Sequence, residues 1–314
     1  MLDYLHVGKA SDLTDSHDRR IYRFLEIMPG FLAWLTLVLV IFISFKAPVF
    51  ATFFIILFDL YWLVKTVYLS VLIRSSFMKM RQNLKVDWIN RLASVKENPR
   101  LPGVMHQNVY NLVILPVYKE PYSIVRESLT SIFRTNYPKE KMIVVLATEA
   151  RADMHGVELA RQAEAEFGNA FFKFITTVHP DDLLGELAGK GSNEVWAGQQ
   201  VKKQVIDALN IPYNQIIVSV FDIDTVVPVD FFACLTWNYL TAVDPLHSSF
   251  QPIPVFTNNI WEAPAFARVF AFSTTFWQMI QQARKEQMVT FSSHSVGFQA
   301  LVDVGFWQKN VVSE

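Results

Sequence analysis

Cysteine is nearly absent from this sequence: Cys234 stands alone in 314 residues. That excludes an internal disulfide and a Cys-x-x-Cys metal site, and it is compatible with a reducing compartment. Net charge is nearly absent as well. There are 28 lysines and arginines against 29 aspartates and glutamates, leaving −1 at pH 7. The chain therefore has no global basic field, and no nucleic-acid partner is expected. Internal repeats and low-complexity tracts are also missing, which argues against a repeat array.

Apolar residues are plentiful. Hydrophobic residues make up 52% and aromatics 14% of the chain, with a mean hydropathy of +0.23. This is too apolar for an average soluble globule, yet 18% charged residues is too many for a chain wholly in lipid. Membrane segments joined to a soluble domain satisfy both figures.

The apolar residues are unevenly spread. Residues 1–26 are polar, with Arg19, Arg20 and Arg23 just before a charge-free run from Ile27 to Phe45. A bilayer core needs about 20 such residues. Lys46-Ala47-Pro48 interrupts, and a second block runs from Val49 to about Ile73, broken by Asp59 and Lys65. Arg74, Lys79, Arg81 and Lys85 follow. Positive charge flanks the pair of blocks, so residues 27–73 are expected to form a transmembrane hairpin with both ends cytoplasmic. The competing readings are a cleavable signal peptide and a buried soluble hairpin. The leading segment is long and lacks a small-x-small site, and the first run is long for a soluble element. Asp59 then needs a partner helix or a segment that does not fully span. Residues 74–108 read as a juxtamembrane linker that puts Trp88, Ile89 and Leu92 on the membrane surface.

From residue 109 the pattern changes. The run 111–117 is short and continuously apolar, the signature of a strand buried on both faces; 142–147 reads as a second buried strand, and 171–178 and 215–221 as a third and a fourth. Helical spacing fills 122–134, 156–167 and 193–209 between them. This alternation predicts an α/β domain over 109–314, with a mostly parallel sheet flanked by helices. Ligands in such sheets gather at the carboxyl ends of the strands.

Three motifs fall at those ends. Asp222-Ile-Asp224 follows the fourth strand, and alternation puts both carboxylates on one side. Two buried charges there need a cation or a donor network. Mg²⁺ or Mn²⁺ shared with phosphate oxygens is one answer, and a polar strand-ending turn is the other. Pro116-Val-Tyr118-Lys-Glu120 ends the first strand. Its proline stops the strand, the tyrosine ring offers a stacking face, and the glutamate offers acceptors. An ordinary strand-to-helix turn fits these residues equally well. Gly189-Lys190-Gly191-Ser192-Asn193 invites comparison with a phosphate loop, but the glycine spacing is short and Gly191 stands where Ser or Thr is required. Lys190 could still present a point charge to a phosphate.

In this order and spacing the motifs resemble family-2 glycosyltransferases of the GT-A fold. Ser131-Ile132, Tyr137-Pro138, Gln251-Pro-Ile-Pro254 and the Gly305-Phe-Trp307 turn are similar to further landmarks of that family. The resemblance covers about residues 109–314. It implies an inverting, membrane-associated enzyme with a nucleoside-diphosphate sugar as donor and a lipid-linked or polysaccharide acceptor at the inner membrane face. It implies donor binding by Pro116, Tyr118, Glu120, Glu149, Lys190 and Asp222, with metal on Asp222 and Asp224. Glu149 is the counterpart of an acidic pair that usually holds the nucleobase. Glu314 matches the glutamate beside the family's catalytic aspartate, so the base is expected just past the last residue and the domain is expected to be incomplete there. His294 falls in an acceptor-facing loop and has no serine–histidine–acid partners. Two other classes compete: a non-catalytic membrane subunit that binds a nucleotide sugar or a partner, and a metal-dependent nucleotidyltransferase. The membrane hairpin and the Pro116–Glu120 segment count against the second.

Overall fold

The computed structural model describes residues 7–183, 186–187, 189–258, 260–284 and 288–309. It divides into two units, Met1–Arg81 with Ile260–Glu286, and Gln82–Asn259 with Gln287–Glu314.

The first unit contains three long helices. α1 is Ser16–Lys46, α2 is Pro48–Asn83 and α8 is Ala265–Ala283. The Asp15 carboxylate caps α1 by accepting from the backbone N–H of His17 at 2.7 Å, satisfying one of the donors a helix start leaves open. α1 and α2 are both long and apolar enough to cross a membrane. Both extend past the apolar blocks that predict them and take in the flanking arginines, because nothing in those flanks breaks a helix. Lys65, within the second block, donates to the Tyr61 hydroxyl at 3.1 Å and lies 4.8 Å from the Trp62 ring centroid. Its charge therefore has polar and π partners one turn away.

The second unit is an α/β layer structure. Its six strands are β1 Tyr110–Pro116, β2 Met142–Glu149, β3 Lys173–His179, β4 Ile216–Val220, β5 Ser249–Phe250 and β6 His294–Gly297. They lie in the order β3-β2-β1-β4-β6-β5. The first four are mutually parallel. β6 runs antiparallel to β4 and to β5, so the sheet is mixed at one side. The helices are α3 Trp88–Ala93, α4 Tyr122–Phe133, α5 Asp153–Phe167, α6 Lys190–Val201, α7 Phe231–Thr241 and α9 Phe298–Asp303.

Alternation explains the continuous apolar runs. Val113, Leu115, Val144 and Leu146 face a core completed by Val125, Leu129 and Ile132 of α4, Leu159 and Ala163 of α5, and Phe232 and Tyr239 of α7. Leu112, Ile114, Ile143 and Val145 point the other way, into a core with Ala197 and Val201 of α6 and Phe298 and Leu301 of α9. β1, β2 and β4 are buried on both faces and are therefore mostly apolar, whereas β3, expected to be a further apolar strand, is half exposed and carries Lys173, Thr176 and Thr177 because it lies at the sheet edge.

Three expectations are corrected here. Trp88 and Leu92 are buried in the first core and do not lie on a membrane surface. The Trp88 ring meets Trp237 of α7 at 5.5 Å, and the Arg91 guanidinium sits 4.1 Å over Trp237. The cationic residue that suggested a lipid surface instead covers an aromatic pair. The helix expected from 193 starts at Lys190 and passes at Val201 into a π-helical stretch, Lys202–Ile206. His294 is the first residue of β6, where Ser219 and Ser295 exchange a buried hydroxyl hydrogen bond of 2.7 Å across the β4–β6 pair. It is a strand residue, not a loop residue.

Candidate active site

Parallel pairing brings the carboxyl ends of β1, β2 and β4 to one edge of the sheet, with Pro116 opposite Ala147 and Ile114 opposite Val220. An open cleft of about 690 Å³ lies at the end of β4. Lys190, Asp222, Asp224, Ser292 and Ser293 form its polar end. Val226, Pro228, Phe231, Pro252, Ile253 and Phe256 are among its apolar lining.

The acid pair behaves as alternation predicts. Phe221 and Ile223 are buried in the first core, so Asp222 and Asp224 are turned together into the cleft. The chain then turns sharply, with the Thr225 N–H donating to the Asp222 carbonyl at 2.9 Å. Asp222 is held from two sides: Lys190 Nζ donates to its Oδ1 and the Ser292 hydroxyl donates to its Oδ2. Lys190 also reaches Ser292 Oγ at 3.2 Å. The backbone N–H of Asp222 donates to Ser293 Oγ at 3.2 Å. Lys190 is the first residue of α6, and the buried Asn193 one turn on donates to the β2 carbonyl of Ala147 at 2.8 Å. That bond ties the helix start to the sheet and sets where Lys190 emerges.

Asp224 is not matched in this way. Burial pushes its carboxyl above the usual carboxylate range, and the charges of Asp222 and, more weakly, Glu120 push the same way against Lys190. Glu194, one turn along α6 from Lys190 and 3.9 Å from its ammonium, is pushed up to about 7. Burial is the main cause, Lys190 opposes it and Asp222 adds to it. The described acids thus outnumber the one lysine among them. A divalent cation held by one or two carboxylates, with phosphate oxygens filling its shell, suits that imbalance. Among the described residues no group of three or more His, Cys, Asp or Glu side chains could hold a metal by itself, so a ligand would have to share the coordination.

The other predicted donor residues form a second cluster at the ends of β1 and β2. The Arg151 guanidinium donates to the Glu149 carboxylate, with Nε at 2.9 Å, and lies 5.2 Å from the Tyr118 ring centroid. Lys119 Nζ lies 4.9 Å from the same ring. The Glu120 carboxylate accepts from the backbone N–H of Tyr118 at 2.7 Å, and His155 Nε2 lies 3.1 Å from the Glu120 carbonyl. Pro116 closes β1 beneath this cluster. Glu149 and Glu120 are both engaged by donors of the chain itself, and Glu149 is largely buried. Glu314, the neighbour of the expected base, lies outside the described residues.

Sequence reasoning missed Arg151, Ser292 and Ser293. The two serines were visible only as neighbours of His294. That histidine is engaged: Trp307 Nε1 donates to its Nε2 at 3.4 Å, and its Nδ1 lies 3.3 Å from the Ser292 carbonyl. Burial lowers its pKa, and through these contacts the ring braces the Ser292 segment.

No family model matches the chain, and no curated protein does. Among solved structures it is similar to a mannosyltransferase, PcManGT from Pyrobaculum calidifontis, in complex with GDP-Man and Mn²⁺. Identity there is 17%, with 78% of this chain and 58% of that one covered and a TM-score of 0.44. It is also similar to residues 1–349 of TarS from S. aureus, at 11% identity over 66% of this chain and 52% of that one, TM-score 0.37. A third neighbour is mouse xyloside xylosyltransferase 1, at 13% identity over 62% and 69%, TM-score 0.28. This chain thus spans a little over half the length of the first two. The first and third of these neighbours are named as sugar transferases. At TM-scores below 0.5 the likenesses do not define the chemistry of this chain.

Proposed function

We propose that this chain is a membrane-anchored glycosyltransferase of the family-2, GT-A type, which takes a nucleoside-diphosphate sugar as donor. The observation that carries the reading is the convergence of Lys190, Asp222, Asp224 and Ser292 in one cleft at the end of β4. Lys190, now paired with Asp222, is placed to exchange that carboxylate for a phosphate oxygen of comparable charge. Asp224, with Asp222, would hold Mg²⁺ or Mn²⁺, which when bound supplies positive charge to the departing diphosphate. Tyr118, braced by Arg151 and Lys119, offers the ring on which a nucleobase stacks. Pro116, Glu120 and Glu149 complete that donor end by shaping its loops. Val226, Pro228 and Phe231 line the apolar side of the cleft beside the reacting centre. Inversion at the anomeric carbon, a lipid-linked or polysaccharide acceptor and placement at the inner membrane face belong to the same reading. They rest on the sequence resemblance and on the charge flanking α1 and α2.

The decisive measurement is calorimetric titration of the full chain with UDP and with GDP, in Mn²⁺ and in EDTA. At least one nucleotide should bind tenfold or more tighter with metal, a difference of about 1.4 kcal/mol or more. Asp224→Ala should remove the difference, because two carboxylates and a diphosphate repel at close range without a cation. Equal affinity in metal and in EDTA would return the acid pair to the role of a strand-ending turn.

A further inference from the structure

Helix α8 exposes a row of large apolar side chains over most of its length. Phe266, Val269, Phe270 and Trp277 are 70%, 65%, 66% and 56% exposed, whereas the helix is buried at Thr275 and over its last turn, Gln278, Met279, Ile280 and Gln281. The exposed residues recur at helical spacing and form one stripe, which Phe276 widens. A soluble surface seldom leaves such a row of aromatics in water. The C-terminal end of the helix is the packed part, so the aromatic stripe of the preceding turns is left to meet another medium.

Three observations say what that medium is. First, α8 belongs to the same compact unit as α1 and α2, the two helices able to cross a membrane. Second, α8 is not apolar enough to be a span itself, and at 19 residues it is about 28 Å long, a suitable length for lying flat. Third, residues 265–284 contain Arg268 and Arg284 and no acid, with Glu262 just ahead of the helix. Just before the helix, Trp261 is 74% exposed, with the Arg268 guanidinium 5.8 Å from its ring centroid. Exposed tryptophan and phenylalanine beside arginine is the composition of an interfacial helix on anionic lipid.

We propose that α8 is a lipid-contacting helix that lies in the headgroup layer of an anionic bilayer, with Phe266, Val269, Phe270 and Trp277 in the acyl boundary. The proposal rests on the spans of α1 and α2 and is independent of sugar transfer. The test uses the full chain in nanodiscs of phosphatidylcholine mixed with phosphatidylglycerol. Spin labels are introduced singly as Phe266→Cys, Phe270→Cys and Trp277→Cys in a Cys234→Ser background. Val243→Cys, on the exposed surface of the other unit, reports water, and Leu37→Cys in α1 reports the bilayer core. Oxygen should reach the α8 labels several-fold more readily than a water-soluble nickel complex does, with values between those at positions 243 and 37. The labels should lie less deep in pure phosphatidylcholine. Nickel access equal to that at position 243 would place α8 in water and overturn the proposal. Exclusion of both agents would mean that protein covers the stripe, and would overturn it too. Equal depth in the two lipid mixtures would remove the anionic preference. Water access at position 37 would instead show that the spans themselves were misread.

Discussion

Glu194 shows how one buried side chain can report on the cleft. Its carboxyl is pushed up to about 7, chiefly by burial, against an ordinary value near 4.3 in the unfolded chain. The folded state therefore holds the proton more tightly than the unfolded state does. By linkage the stability conferred by the neutral acid is complete below the unfolded value and is lost as pH rises toward about 7. Lys190, 3.9 Å away, recovers part of that loss by stabilising the anion. Glu194→Gln removes the titration and keeps the shape. The variant should therefore gain stability relative to the parent between about pH 5 and pH 8, by up to roughly 3 kcal/mol at about 1.4 kcal/mol per pKa unit. Denaturant midpoints of both proteins across that range provide the check. Parallel pH profiles would mean that Glu194 keeps its ordinary acidity in the folded chain, with Lys190 offsetting its burial.

At the scale of elements, the antiparallel β6 matters most because it brings Ser292 and Ser293 to the acid pair. Gly297 ends β6, and a Cβ there would stand 3.0 Å from the Leu246 carbonyl oxygen and 3.1 Å from that of Pro245. Both are backbone atoms, which cannot rotate aside. Gly297→Ala should lower stability by about 1–3 kcal/mol. It should also weaken diphosphate binding, because β6 must shift and Ser292 with it. A thermal melt and a nucleotide titration on the same preparation would show both effects, and unchanged values would mean that the Leu246 turn gives way freely. The sequence makes β1, β2 and β4 legible because strands buried on both faces must be apolar throughout. The acid pair is legible because charge directly after such a strand is conspicuous. β5 and β6 are not legible: they span two and four residues, too few for a period to declare itself. The role of Ser292 is illegible for a related reason. Its bond to Asp222 joins residues 70 apart in sequence, and only the β4–β6 register, pinned by Ser219 and Ser295, brings them together. The linker helix α3 misleads in the opposite direction, since Trp and Leu among basic residues look the same whether they cover lipid or another aromatic ring.

At the scale of the whole molecule, the proposed spans raise the question of which compartment receives the chain that follows α2. α1 and α2 are joined through Ala47 alone, and the proposed reading takes them as a transmembrane hairpin. Arg19, Arg20 and Arg23 stand at its start, Arg74, Lys79 and Arg81 at its end, and only Lys46 at the tip. Charge near the ends of spans sets orientation, and positive residues stay on the cytoplasmic side. Both outer ends of the hairpin are therefore expected in the cytoplasm, and the chain that follows α2 starts there, where nucleotide sugars would be met. The expectation is tested in intact cells with a membrane-impermeant thiol reagent. Arg20→Cys and Arg81→Cys, each in a Cys234→Ser background, should stay unlabelled until the cells are permeabilised, whereas Ala47→Cys at the tip should label from outside. Outside labelling at position 20 with protection at position 81 would mean that only one of the two helices spans. Outside labelling at both positions would invert the hairpin, and with it the compartment from which the cleft draws its donor.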